Sequence, residues 1–369
     1  MRPTIRFGRI AGIEVGAHWS LLVVGTLLVT VLADTFGDLQ PDAGGSYWAA
    51  AILAVALFFG SVLAHELAHS LVAIRRGQRV QGITLWLFGG VARLKDEARD
   101  ARSELLVALA GPATSLALGG AFIGLAFALD AVLDDGSLLP TVAAYLGVIN
   151  IVLAVFNLLP GAPLDGGRVL SAVMWMWRKD RRRGQIIAAR AGRVVGYGLI
   201  ALGVFAFFVD EDSSNLWTVL IGWFVVGASR TEEQQARLQL ALDGRVVDDV
   251  MSPRPPAVHE WATAAELPGL LGGDVPHHVV LTDFGGTPRA LLERALLRGV
   301  ASDTRLRDRA IPIAQLAAVP RGTPLRAAIA RGIPVVVLDD GAVVGVVGFE
   351  EADHLVRAAG APAERSPTA

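Results

Sequence analysis

The stretch Val62-Leu63-Ala64-His65-Glu66-Leu67-Ala68-His69 decides how this chain is read, because it sets a HExxH pattern inside an apolar run of membrane length. Histidines at i and i+4 fall on one helical face, one turn apart. Both imidazoles can therefore bind a single zinc ion, with Glu66 between them placed as a general base toward water at the metal. HExxH is short and arises by chance in long helices, so its surroundings matter. From Tyr47 to Ile74 the charged residues are Glu66 and no other. An ionisable group at that depth marks a functional site by default. The bland alternative is a pair of ordinary helix histidines satisfied by hydrogen bonds.

Composition fits a membrane protein. Of 369 residues, 53% are hydrophobic and only 18% charged, below the roughly 25% of a soluble domain. The charges concentrate after Arg230, which implies a soluble C-terminal domain. A net charge of −2 offers no case for nucleic acid as a partner. Cysteine is absent, so any metal must use His, Asp or Glu, and disulfides are excluded. Arg2, Arg6 and Arg9 precede an apolar run from Ala17 to Ala33 that could be taken for a secretory signal. Its length favours an uncleaved first helix.

Apolar runs predict spans at 17–34, 47–75, 104–130, 140–160, 187–209 and 215–229. The loops near 35–46, 130–138 and 210–215 hold acids and no Lys or Arg, whereas Arg75, Arg76, Arg79, Arg93, Lys95, Arg99 and Arg102 gather at the opposite end. A second basic group, Arg178 to Arg183, follows the fourth span. The positive-inside rule then puts both termini in the cytosol. The last two spans are weaker, since Arg190 and Arg193 shorten the fifth and the sixth is barely long enough.

Val80 to Leu94 is β-branched and aromatic, broken by Gly89-Gly90, and predicts two short strands around a turn. An exposed edge there could hold an extended peptide beside the metal; equally, the hairpin could simply join two helices. In Ala110-Gly111-Pro112-Ala113-Thr114-Ser115 the small residues predict close packing that seats the third span against the metal-bearing helix. The fourth span ends in Asn157-Leu-Leu-Pro160-Gly-Ala-Pro163-Leu-Asp165-Gly166-Gly167-Arg168, an irregular segment carrying polar groups at membrane depth. His65 lies roughly 15 Å of helix short of Arg75, and Asp165 lies a comparable distance before Arg178. The depths agree, so Asp165 can complete a His-His-Asp site; the alternative is that it caps the following helix.

After a polar helical segment, 230–242, residues 246–300 and 305–358 look like two copies of one unit. Each copy is expected to hold a helix (Ala264–Leu271; Pro324–Arg331), a β-rich run (Val275–Thr282; Ile333–Leu338), an acidic turn and a final helix. This argues for a paired sensory or dimerisation module and leaves a homodimer open.

Together these motifs resemble the site-2 proteases, intramembrane zinc metallopeptidases, in their prokaryotic branch with a C-terminal pair of CBS domains. The resemblance also takes in Gly12 to Ser20, including His18, and Gly89-Gly90-Val91-Ala92. It implies zinc held by His65, His69 and Asp165, Glu66 as base, Asn157 contacting substrate or the oxyanion, and a substrate-binding edge at Gly89, Gly90 and Val91. It assigns His18 no role. In the CBS pair, Val346-Val347-Gly348-Phe349-Glu350-Glu351 has Gly where a nucleotide-binding hydroxyl is expected and Glu near the acid's place, and the first copy, around Leu292–Ala295, lacks both, which argues against adenine-nucleotide binding.

The expected fold class is a polytopic α-helical membrane protein, with about six transmembrane helices and a short membrane-associated β segment, plus a soluble α/β tandem CBS domain. The expected boundaries are 1–230, a linker at 231–245, 246–360 and a flexible tail at 361–369. The expected activity is regulated proteolysis, in the cell membrane, of single-span membrane proteins such as anti-sigma factors or signal-peptide remnants, modulated by the CBS pair. The rivals are a gated or inactive membrane sensor and a metal transporter; the latter needs polar residues along a whole path across the bilayer, and only one cluster is present.

Overall fold

Long apolar runs become long helices. The computed structural model describes residues 4–39, 45–86, 89–94, 96–134, 137–210, 215–253 and 255–360. The tail expected at 361–369 and the turn at Leu87-Phe88 lie outside them. Two units are separable, Met1–Glu233 and Gln234–Ala369.

The first unit opens with strands β1 (Ile5–Ile10) and β2 (Ile13–Ala17), then helices α1 (Ser20–Leu39) and α2 (Ser46–Arg75). Strands β3 (Val80–Trp86) and β4 (Gly89–Leu94) follow, then α3 (Ala101–Asp130), α4 (Leu139–Asn157), α5 (Asp165–Arg178), α6 (Arg181–Asp210) and α7 (Leu216–Leu242). Among the described residues, α1, α2, α3, α4 and α6 are long and apolar enough to cross a membrane. The sixth expected span and the polar segment after it are one continuous helix, α7, apolar at first and polar from Arg230 onward. Helix α5, at about 21 Å, is too short to span.

The two strands expected at Val80 to Leu94 are half of a larger sheet of order β1-β2-β3-β4. Ala11 and Gly12, both at positive φ, turn β1 into β2, the conformation of a tight hairpin turn. Strand β2 then pairs in parallel with β3. The first helix consequently starts at Ser20, later than its apolar run suggested, because Ile13–Ala17 is strand. His18 joins the two elements. Its backbone N–H donates to the Leu85 carbonyl at 2.8 Å, and its Nδ1 accepts from the Ser20 N–H at 3.3 Å, so its role here is to start α1.

Ile13, Ala17, Ile83 and Leu85 of the sheet pack with Val62 of α2, one turn before His65. Nearer the start of α2, Ala50, Ala51 and Ala54 pack against Leu32 and Phe36 of α1 and Leu146 of α4. Between these clusters the Asn150 amide donates to the Ser61 hydroxyl at 3.2 Å, tying α4 to α2 by an interhelical hydrogen bond.

The second unit is a duplication with an exchange. Its first sheet joins β6 (Ala257–His259), β7 (His278–Thr282), β8 (Pro288–Glu293) and β9 (Ile311–Pro312). The second joins β10 (Ala317–Pro320), β11 (Val335–Asp339), β12 (Ala342–Val347) and β5 (Ser252–Pro253). Both have one parallel pair followed by two antiparallel pairs. The leading strand of each copy, β5 or β9, completes the sheet of the other, so the copies are intertwined. Helices α8 (Leu267–Leu271) and α9 (Leu325–Ile329) occupy matching positions. The expected final helix exists only in the second copy, as α10 (Phe349–Gly360); in the first it is a single 3-10 turn, Arg294–Leu297, followed by Gly299 at positive φ.

Candidate metal centre

His65 and His69 sit on one face of α2, 4% and 6% exposed. Helix α3 receives them with residues spaced four apart: Val107, Gly111 and Ser115. His69 Nδ1 lies 2.6 Å from the Val107 carbonyl, which can only accept, so Nδ1 carries the proton and Nε2 keeps its lone pair. His65 Nδ1 meets the Ser115 hydroxyl at 2.9 Å. Partners of this kind on the far nitrogen fix ring orientation and tautomer in metal-binding histidines. Between them, Gly111 leaves room. A Cβ there would lie 2.2 Å from His69 Nε2 and 2.5 Å from His65 Nε2.

Asp165 comes from the start of α5. Gly166 and Gly167 let that helix start against the preceding loop, where Cβ atoms would meet the Leu159 carbonyl and the Ala162 nitrogen at 2.2 Å. The loop is tied down by Ala162 N donating to the Ala188 carbonyl and by Ser229 Oγ donating to the Ala162 carbonyl. Helix α5 has Leu164 as its N-cap, without a side-chain cap. The Asp165 carboxylate instead turns to the histidines: Oδ2 lies 3.1 Å from each Nε2, and the two Nε2 atoms are 3.1 Å apart. Ligand atoms around a tetrahedral zinc with bonds near 2.0–2.1 Å sit about 3.3 Å apart. The triangle fits three corners of that figure, and two neutral imidazoles with one carboxylate are a zinc donor set.

Glu66 lines a cavity of about 560 Å³ that also reaches His65, His69, Asp165 and Asn157. Strand β4 forms one wall, and a Cβ on Gly90 would lie 2.2 Å from Glu66 Cγ. Gly89, Gly90 and Val91 pair with Trp86, Leu85 and Thr84 on β3, and β4 is an edge strand of its sheet. Asn157 closes α4, with one amide hydrogen donated to the Leu153 carbonyl at 3.0 Å.

Comparison with known proteins gives this arrangement a family. The sequence profile of Peptidase family M50 matches residues 53–134 and 123–199. The putative zinc metalloprotease Rip3 of Mycobacterium tuberculosis is 38% identical over 96% of this chain and 93% of its own length. The chain belongs to peptidase family M50, the site-2 proteases. The putative zinc metalloprotease sll0528 of Synechocystis is 34% identical over 70% of this chain and 67% of its own. A solved site-2 protease from Methanocaldococcus jannaschii is 28% identical over 62% of this chain and 94% of that one, with a TM-score of 0.43. The protein is thus a zinc metalloprotease and a multi-pass membrane protein.

Three features of this protease were not visible in its sequence. Ser115 touches His65 directly, where its small size had suggested packing alone. Arg168, one turn after Asp165 on α5, lines the same cavity as Glu66 and the histidines, as does Glu232 of α7. The i, i+3 spacing from Asp165 was the signal that could have found Arg168.

Proposed function

We propose that this protease cleaves single-span membrane proteins within the bilayer, with His65, His69 and Asp165 holding the catalytic zinc and Glu66 as general base. The observation that carries this reading is the 3.1 Å triangle of His65 Nε2, His69 Nε2 and Asp165 Oδ2 opening on the cavity that Glu66 shares. When bound, zinc supplies a Lewis acid that polarises the scissile carbonyl and lowers the pKa of water toward about 7.

The chain's own residues do the rest. Glu66 takes the proton of the attacking water and hands it to the leaving amine. One hydrogen of the Asn157 amide is engaged by Leu153, and the second, without a partner among the described residues, donates to the oxygen on which negative charge develops. Peptide bonds inside an intact helix are shielded, so the substrate unwinds and pairs as an added strand along β4 at Gly89, Gly90 and Val91. A sensor with a dead protease core would lack Glu66 or a metal ligand; His65, Glu66, His69 and Asp165 all line the cavity.

The second unit reads as a CBS pair, given its duplicated sheets and exchanged leading strands. Its place is the cytosol, the side to which the charge bias of the loops assigns both termini. It modulates cleavage of substrates such as anti-sigma factors or signal-peptide remnants. Zinc content of purified wild type and Asp165→Ala tests the ligand set. One zinc per wild-type chain and a clear loss in the variant are expected; full zinc in Asp165→Ala would remove Asp165 from the set.

A further inference from the structure

We propose that a groove between α2 and α3, on the side of α3 turned away from the metal centre, binds an anionic phospholipid. Val72 of α2 and Leu106, Leu109, Ala110 and Ala113 of α3 line a trough of about 610 Å³, and Arg75 and Arg76 stand at its end. The α3 residues recur at helical spacing, so they form one stripe, and the two alanines make it concave. Continued one turn toward the helix start, the same stripe reaches Arg102, four residues before Leu106.

Charge identifies the occupant. Arg75, Arg76 and Arg102 are exposed, and none forms an ion pair among the described residues. The neighbouring acid, Asp100, lies within electrostatic reach of Arg76 and is engaged at the start of α3, accepting from the Ser103 N–H at 2.8 Å and its hydroxyl at 2.9 Å, and one carboxylate leaves the three guanidinium groups with a net positive charge. An apolar trough in a membrane-spanning pair of helices, ending at the water interface in Arg75 and Arg76 with Arg102 one turn further along the α3 stripe, matches a lipid with an apolar chain and an anionic headgroup. Basic pockets between transmembrane helices take such headgroups. The basic end is the one the charge bias assigns to the cytosol, so the lipid belongs to the inner leaflet.

The site has a consequence for the protease. Residues 107, 111 and 115 of α3 face the histidines, while 106, 109, 110 and 113 face the groove. A bound lipid therefore backs the wall that holds His65 and His69, and it steadies α3 against α2.

The test uses the purified full-length chain in detergent. Phosphatidylglycerol and phosphatidylcholine of the same chain length are added in turn, and retained lipid is counted by native mass spectrometry. The wild type is expected to keep phosphatidylglycerol in several-fold preference, and each of Arg75→Gln, Arg76→Gln and Arg102→Gln to weaken it about five-fold, the equivalent of about 1 kcal/mol per cation. Ala113→Leu, which fills the trough and leaves the arginines in place, is expected to lower retention as well. Zinc content checks that each variant is folded, and the single variants stand in for one another if one is not. Equal retention of the two lipids would overturn the proposal. So would loss in the arginine variants with full retention in Ala113→Leu, which would indicate diffuse surface charge. A second copy of the chain seated in the groove, seen as a dimer that Ala113→Leu dissolves while lipid retention is unchanged, would overturn it too.

Discussion

Gly111→Ala should be the most damaging small substitution in the protease. The added methyl would lie 2.2 Å from His69 Nε2, 2.5 Å from His65 Nε2 and 2.7 Å from His65 Cδ2. Ordinary contact needs about 3.5 Å, so α3 or the imidazoles must give by on the order of 1 Å. The histidines cannot turn freely, because Val107 and Ser115 hold their other nitrogens. A functional constellation tolerates about 0.5 Å of error, and a 1 Å misplacement costs about 100-fold in rate. The expected result is zinc well below one per chain and at least about 100-fold slower cleavage. Gly120→Ala is the matched control on the same helix, where a Cβ would meet nothing within 4 Å. It should keep full zinc and activity and gain about 0.5–1 kcal/mol of helix propensity. Metal analysis and cleavage of a reconstituted substrate read both. Full zinc and full activity in Gly111→Ala would refute the reasoning, since so close an approach would then have no consequence.

Other substitutions separate the parts of the site. Gly90→Ala drives a methyl into Glu66 and not into the ligands, so zinc should be retained while kcat falls by about 100-fold or more; zinc loss would contradict the assignment. Ser115→Ala removes the partner of His65 Nδ1 and should weaken zinc affinity by about 10–100-fold, read by chelator competition. In the second unit, burial opposes ionisation of Glu351, yet donation from the Ser252 hydroxyl and the Gly348 N–H holds its carboxyl below the usual range. A depressed carboxyl stabilises above its unfolded pKa, about 4.3, and loses that contribution as pH falls through its folded value. Glu351→Gln should therefore speed hydrogen exchange in β12 and α10 at pH 7, with the gap to wild type closing below about pH 4.

Much of the metal-bearing half was legible because its signals are local. An apolar run long enough to span, a lone acid within it and two histidines one turn apart fix α2. Matching depth along two helices brought Asp165 into view before any packing was known. What stayed hidden depends on partners far along the chain. Strand β1 carries arginines and Gly8 among its apolar residues, and the parallel partner that completes the sheet, β3, lies beyond two helices. Strands β5 and β9 are each two residues long, too short to show any period, and take their form from the sheet they join. The bond from Ser115 to His65 follows from the packing of α3 on α2, and a serine among small residues carries no sign of it. Asn150 was hidden likewise, since its partner Ser61 is on another helix.

The central claim is that Glu66, beside zinc held by His65, His69 and Asp165, cuts a peptide bond inside the membrane. The direct measurement is cleavage of a single-span substrate in lipid vesicles by wild type and Glu66→Ala, with zinc content recorded and product ends mapped by mass spectrometry. The account predicts a zinc-dependent cut within the apolar segment by the wild type, and none by Glu66→Ala, which still holds its zinc. Cleavage by Glu66→Ala, or a wild-type cut lying outside the apolar segment, would contradict it.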